Sequence, residues 1–247
     1  MTNLSVNVNK IAWLRNARGG DIPKLSSLAE LILKNGAHGI TVHPRPDLRH
    51  ITPKDVYDLS EITNSLDKEF NIEGNPFSGK TNIYDGFIEI ISSTKPMQCT
   101  LVPDSLDQLT SDHGWNLHKK NKKLEDIIKE IKDLGCRVSL FIDSDIKQVI
   151  KAKEIGADRI EIYTGPYAER YNLVQKKTSL IGYKKSIKLA HEIDLEVNAG
   201  HDLNLNNLRY FLSAGKIAEV SIGQALISDS LVHGLSETIK KYLNLCV

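Results

Sequence analysis

Gly36-Ala37-His38-Gly39-Ile40-Thr41-Val42 marks the point where a helix closes and a strand opens. Ahead of it, Lys24–Asn35 carries Leu25, Leu28, Leu31 and Ile32 on one helical face, and a glycine just past that end can take the left-handed conformation that closes a helix. The same order returns at Gly156-Ala157-Asp158-Arg159-Ile160-Glu161-Ile162, so the repeating unit is helix, Gly-Ala, strand. Outward from these two copies, short β-branched runs bounded by turn residues predict strands at Ser5–Asn9, Gly39–Pro44, Phe70–Gly74, Gln98–Pro103, Arg137–Asp143, Arg159–Gly165, Glu196–His201 and Glu219–Gly223. A further amphipathic helix is expected over Leu124–Leu134, with Ile127, Ile128 and Ile131 together. Val138-Ser139-Leu140-Phe141-Ile142 is largely apolar rather than alternating, as expected of a strand covered on both faces.

Eight strands alternating with helices in 247 residues match one α/β fold, a (β/α)₈ TIM barrel, and no linker or compositional break divides residues 1–247. Two connections exceed what a turn needs: Asp104–Lys123 after strand four and Pro166–Ser179 after strand six. They are expected to be lids or binding loops, with an assembly contact as the alternative.

The formal net charge of +1, from 32 basic and 31 acidic side chains, gives no overall field for nucleic acid or an anionic membrane. Lys119-Lys120-Asn121-Lys122-Lys123 reads as a solvated helix entrance, and anionic small substrates need only a few local cations. Three cysteines, Cys99, Cys136 and Cys246, without CxxC spacing argue against a disulfide framework or zinc site and for a reducing compartment. The start of the chain lacks a basic segment leading into an apolar signal core, and no apolar run approaches a membrane span, so a soluble cytoplasmic protein is expected.

In a barrel of this kind the active site collects at the carboxyl ends of the strands. There the sequence places Asn7 and Asn9, His43, Glu73, Asp143, Glu161, His201 and Gly223. His43 and His201 are candidate proton carriers, and Glu73, in the apolar Asn71-Ile72-Glu73-Gly74, is a candidate base whose bland alternative is a salt bridge to a barrel arginine. Glu161 shares a strand face with Arg159, so an ion pair rivals a catalytic role. Asp143 is expected to cap the following helix, while His38, His113, His118, His191 and His233 have no assigned role and no cluster has metal-ligand spacing. Glycine turns at Asn198-Ala199-Gly200-His201-Asp202 and Ser221-Ile222-Gly223-Gln224-Ala225, the second running into a helix, suggest a phosphate site. Arg15, Arg18, Arg45, Arg49 and His50 add cationic or polar groups on loops at the same face.

Taken together, Ser5-Val6-Asn7-Val8-Asn9-Lys10-Ile11-Ala12, Arg15-Asn16-Ala17-Arg18-Gly19, Ile40-Thr41-Val42-His43-Pro44-Arg45, Arg49-His50-Ile51-Thr52, Val138-Ser139-Leu140-Phe141-Ile142-Asp143, Glu161-Ile162-Tyr163-Thr164-Gly165 and Val197-Asn198-Ala199-Gly200-His201 resemble the pyridoxine 5′-phosphate synthase family nearly end to end. The resemblance implies a transferase of vitamin B6 biosynthesis that condenses 3-amino-2-oxopropyl phosphate with 1-deoxy-D-xylulose 5-phosphate, without metal or organic cofactor, commonly as a homo-octamer. It also implies His43 and Glu73 as proton acceptors, His201 as proton donor and Glu161 as charge stabiliser. Asn7, Arg18, Gly223 and Gln224 would hold the amino-ketone phosphate; Arg45, His50, Thr110 and the backbone at Asp202 would hold the sugar phosphate.

This chain departs from the family where it has Asn9-Lys10 in place of Asp-His on the sugar-phosphate side, and Gln224 in place of histidine. Lys10 can supply a cation to phosphate or carbonyl; Gln224 keeps its backbone N–H but cannot carry a proton. Two rivals stand beside the family reading. One is another sugar-phosphate barrel enzyme, such as an isomerase or a Schiff-base aldolase, which would need a strand-end lysine and has Lys10 nearby. The other is a non-catalytic ligand-binding barrel.

Overall fold

Residue chemistry alternates along most of the strands, β5 with its Leu140-Phe141-Ile142 run excepted, and that alternation builds two faces. Leu4 and Val6, Ile40 and Val42, Phe70 and Ile72, and Ile160 and Ile162 are all buried among the apolar residues of the helices, whereas their neighbours in sequence hydrogen-bond one another inside the sheet. The computed structural model describes residues 1–173 and 176–247. Its eight strands are β1 (Asn3–Asn7), β2 (Gly39–Val42), β3 (Glu69–Gly74), β4 (Gln98–Leu101), β5 (Arg137–Ile142), β6 (Arg159–Tyr163), β7 (Glu196–Gly200) and β8 (Glu219–Ile222). All neighbours pair in parallel, and β8 closes on β1 through Asn3↔Glu219 to Val6↔Ile222. The barrel is therefore the one the repeating unit predicts.

Helices wrap the outside: α1 (Asn9–Asn16), α2 (Leu25–Lys34), α3 (Pro53–Ser65), α4 (Phe87–Thr94), α5 (Lys122–Asp133), α6 (Ile146–Glu154), α7 (Gly165–Asn172), α8 (Lys176–Ser179), α9 (Ile181–Glu192), α10 (Leu208–Leu212), α11 (Gln224–His233) and α12 (Leu235–Leu245). Local chemistry sets their ends. Thr52 and Asp55 form a capping box for α3, with Pro53 at its first position. Asn121 accepts from the Leu124 N–H, so the lysine cluster is a helix entrance, as expected. Among the described residues no helix is long and apolar enough to cross a membrane.

Several boundaries differ from expectation for identifiable reasons. Strand one ends at Asn7 rather than Asn9, because Asn7 Oδ1 accepts the Asn9 N–H at 3.0 Å and turns the chain into α1. Asp145, not Asp143, caps α6 by accepting from the Lys147 N–H; Asp143 instead receives the Gly114 N–H at 3.3 Å. The stretch expected as a loop over Pro166–Ser179 is largely α7 and α8, with Val174 and Gln175 outside the described residues. An unanticipated long connection, residues 75–86, follows β3.

The strands are covered on both faces, yet the lumen is not the layered aliphatic core usual in these barrels. Ser5 pairs with Thr41 at 2.7 Å, and Thr100 donates to Asn71 at 3.0 Å. Gln98 spans the barrel: its amide donates to Glu219 at 3.1 Å, and its oxygen receives Arg137, Arg159 and Asn198. Arg159 also pairs with Glu196 at 2.7 Å, at the amino end of the strands. That answers the rivalry over Glu161: Arg159 is spent elsewhere.

Candidate active site

The polar lumen opens at the carboxyl ends of the strands into a cavity of about 330 Å³. His43, Glu73, Glu161 and His201 all line it, supplied by four different strand ends. Asn7, Asn9, Lys10, Arg45, His50 and Thr110 line it as well, and so do Asp202, Gly223 and Gln224. Arg18 does not: it follows the last turn of α1 and is exposed outside the lining.

Burial governs the titration of this group. Glu73 receives Asn7 Nδ2 and Ser221 Oγ, each at 3.5 Å, and among the described residues no arginine hydrogen-bonds it, against the salt-bridge alternative. Loss of hydration, then the charges of Asp104 and Glu219, push its pKa up to about 8. Glu161 is pushed well above the ordinary carboxyl value, by burial and then by Glu73; its Oε2 has no partner among the described residues. A Cβ at Gly200 would overlap Glu161 Oε1, so glycine there makes room for the carboxyl.

The histidines are held neutral. His43 is driven well below the ordinary imidazole value by burial and then by Arg45, and its Nδ1 stands 4.0 Å from Glu73 Oε2. Asn9 Oδ1 receives the His43 N–H at 3.0 Å, so Asn9 sets the backbone that aims the ring. Burial followed by Arg45 pulls His50 down to about 3. The Ile51 N–H donates to His50 Nδ1 at 2.9 Å, which puts the ring proton on Nε2. His201 has φ of 81° and packs against Phe141 (tilted) and Tyr163 (edge to face), ring centroids 5.2 and 5.5 Å away. Burial lowers its pKa.

Anion-binding capacity is distributed differently from expectation. Arg15 belongs to α1, where it is buried and paired with Asp55 at 2.5 Å, so it is no loop cation. Arg49 binds Asp47 and the carbonyls of Leu106, Gln108 and Leu109. Arg45 binds Asp104 and the Gln108 carbonyl. These two arginines thus fasten the connection after β4, which brings Thr110 to the cavity. Lys10 Nζ lies 4.2 Å over the Trp13 ring, with its pKa lowered by burial and then by Arg49. No side chain caps α11, and Gly223, Gln224 and Ala225 at its start line the cavity, leaving first-turn N–H groups for an anion. A Cβ at Gly223 would crowd Asn7 at 3.0 Å.

A model of the family described as pyridoxal phosphate biosynthesis protein PdxJ matches residues 4–247. The chain belongs to the PdxJ family. A pyridoxine 5′-phosphate synthase of Xanthomonas campestris pv. campestris is 50% identical over 98% of this chain and 95% of its own length. One from Xylella fastidiosa is 49% identical over 99% and 94%. A thiamine phosphate pyrophosphorylase from Pyrococcus furiosus has the same fold at 13% identity, with a TM-score of 0.61 over 99% of this chain and 95% of its own. This PdxJ chain is thus a member of an enzyme family of vitamin B6 biosynthesis.

Strand-end reasoning missed one buried acid in this PdxJ site. Asp104 follows β4 through Val102 and Pro103, and it holds Arg45 and Ser111. The Val102-Pro103-Asp104 step, where the strand gives way to the long connection, is the signal the sequence offers for it. Trp13, Ser111 and Ser221, which line the cavity as Asp104 does not, carried no signal beyond their residue type.

Proposed function

We propose that this chain is a pyridoxine 5′-phosphate synthase that condenses 3-amino-2-oxopropyl phosphate with 1-deoxy-D-xylulose 5-phosphate, closing the pyridine ring and releasing phosphate and water. The observation that carries the reading is the convergence of two neutral histidines and two buried carboxyls on one cavity, in a chain half identical to synthases so named. Imine formation, elimination and ring closure need repeated proton transfers at neighbouring atoms, which several acid–base groups in a water-poor chamber supply.

His43 and the ionised form of Glu73 accept protons in this reading, and His201 donates one. Glu161 stabilises charge that develops on the reacting substrate. Asn7 and the start of α11 at Gly223 and Gln224 hold one phosphate. Arg45, His50, Thr110 and the backbone at Asp202 hold the other, with Lys10 and Asn9 on the same wall. No metal or organic cofactor enters the reading. Assembly as a homo-octamer and a cytoplasmic location belong to it as well; a solution mass near that of eight chains checks the former.

Purified protein given both phosphorylated substrates without added metal should form pyridoxine 5′-phosphate, followed by mass spectrometry of the product. Binding of both without product would refute synthase activity. Lys10, desolvated in the wall, gives the aldolase rival its own outcome: borohydride capture of a sugar phosphate on that residue.

A further inference from the structure

We propose that Asp104 is a positioning residue of the synthase reaction, fixing Arg45 and the Thr110 loop from behind the cavity wall and facing His43 with a second carboxylate. The inference rests on the functional reading above. Asp104 is 5% exposed, and its Oδ2 receives Arg45 Nη2 and, at 2.6 Å, Ser111 Oγ. Its Oδ1 has no partner among the described residues. Asp104 does not line the main cavity but an adjoining void of about 10 Å³ that it shares with His43, Arg45, Asn75 and Ser78. It therefore reaches substrate through other groups.

Those groups are the ones the reaction uses. His43 Nε2 lies 4.0 Å from Asp104 Oδ2, and His43 Nδ1 lies 4.0 Å from Glu73 Oε2, so the ring stands between two carboxyls. When His43 takes a proton, the imidazolium forms beside a carboxylate already fixed by a guanidinium, which costs no reorganisation at that moment. The loop end is tied by the same oxygen: Ser111 follows Thr110 directly, and Arg45, held by Asp104, also grips the Gln108 carbonyl.

Asp104 also acts on Glu73. The groups facing Glu73 are Asn7 from β1, His43 and Arg45 after β2, Asp104 after β4, Glu161 from β6, His201 after β7, and Ser221 and Glu219 from β8. Among the charged ones, Asp104 and Glu219 raise the Glu73 pKa and Arg45 lowers it. Removal of the Asp104 charge makes Glu73 easier to ionise.

Asp104→Asn keeps the shape and removes the charge. With both substrates, kcat should fall by about tenfold or more while KM changes less, in the range expected when a reacting group is misplaced. The acidic limb of kcat/KM should move to lower pH, and Asp104→Glu should return it to the wild-type position. In the unliganded protein, amide hydrogen exchange over residues 105–111 should quicken in Asp104→Asn and in Ser111→Ala. An Asp104→Asn protein with wild-type limb and wild-type exchange overturns the proposal. If Asp104→Asn does not fold, Ser111→Ala decides: unchanged exchange overturns the anchoring. Loss of the functional reading is distinguishable, because wild-type protein would then form no product while the exchange comparison still stands.

Discussion

Glu73 lines the cavity beside Glu161, and loss of hydration followed by the charges of Asp104 and Glu219 disfavours its ionised form, which sets its behaviour in two measurements. Its folded pKa of about 8 lies above the ordinary 4.5. Below pH 4.5 both folded and unfolded chains carry the proton; between that value and about 8 the unfolded chain loses it first, so the stability this carboxyl contributes declines as pH rises. Glu73→Gln should therefore raise the unfolding free energy by on the order of a few kcal/mol at pH 8, with Tm rising accordingly, and leave both unchanged near pH 4. The same variant should lose turnover by about a hundredfold or more with far less change in affinity for either substrate. In the wild type, kcat/KM should climb with pH toward an inflection near 8. His43, Glu73, Glu161 and His201 were legible because each is a polar residue in or just after a strand, in a chain whose strands converge on one lumen. Arg15 misled because its partner, Asp55, lies 40 positions away, and no spacing rule links them.

The connection after β4 behaves as a docked element although it has no periodicity of its own. Trp115 N–H donates to the Phe141 carbonyl and its indole N–H to the Leu101 carbonyl, each at 2.9 Å, while Leu117 N–H reaches Gln148 at 2.8 Å. Gly114 lies flat on β5, where a Cβ would overlap the Ile142 and Asp143 backbone. Backbone cannot yield as a side-chain tip does, so Gly114→Ala should lift this segment, with limited proteolysis over residues 105–121 accelerated severalfold and overall helicity by circular dichroism kept. The length of this connection is legible in the sequence. Its anchors stayed hidden because carbonyl oxygens of Leu106, Gln108 and Leu109 are held by arginines of the β2 connection, and backbone acceptors leave no mark in composition. The connection after β6 is helical in α7 rather than a loop, and Pro166 sits in the first turn of that helix, where its missing N–H costs nothing.

At the scale of the whole molecule, the Gly-Ala-strand repeat was enough to reveal the barrel, but not the polar nature of its lumen. Apolar outward residues dominate the strand composition, and the inward Ser5, Thr41, Asn71, Thr100 and Asn198 are spread one or two to a strand, so the pattern emerges only after closure. Gln98 satisfies groups from four other strands, among them Glu219, whose pKa is raised well above normal by burial and then by Glu69. Gln98→Leu would leave several buried partners unpaired and should cost about 3–5 kcal/mol, read as a lower denaturation midpoint at unchanged m-value. Closure also has a temporal side. β1 gains its second neighbour through Val6↔Ile222, so on the ribosome the first strand keeps one unpaired edge until the last strand has been made. Cellular yield of this protein should accordingly depend on how long that edge is shielded, by chaperones or by the speed of translation, more than on the strength of any contact in the finished barrel.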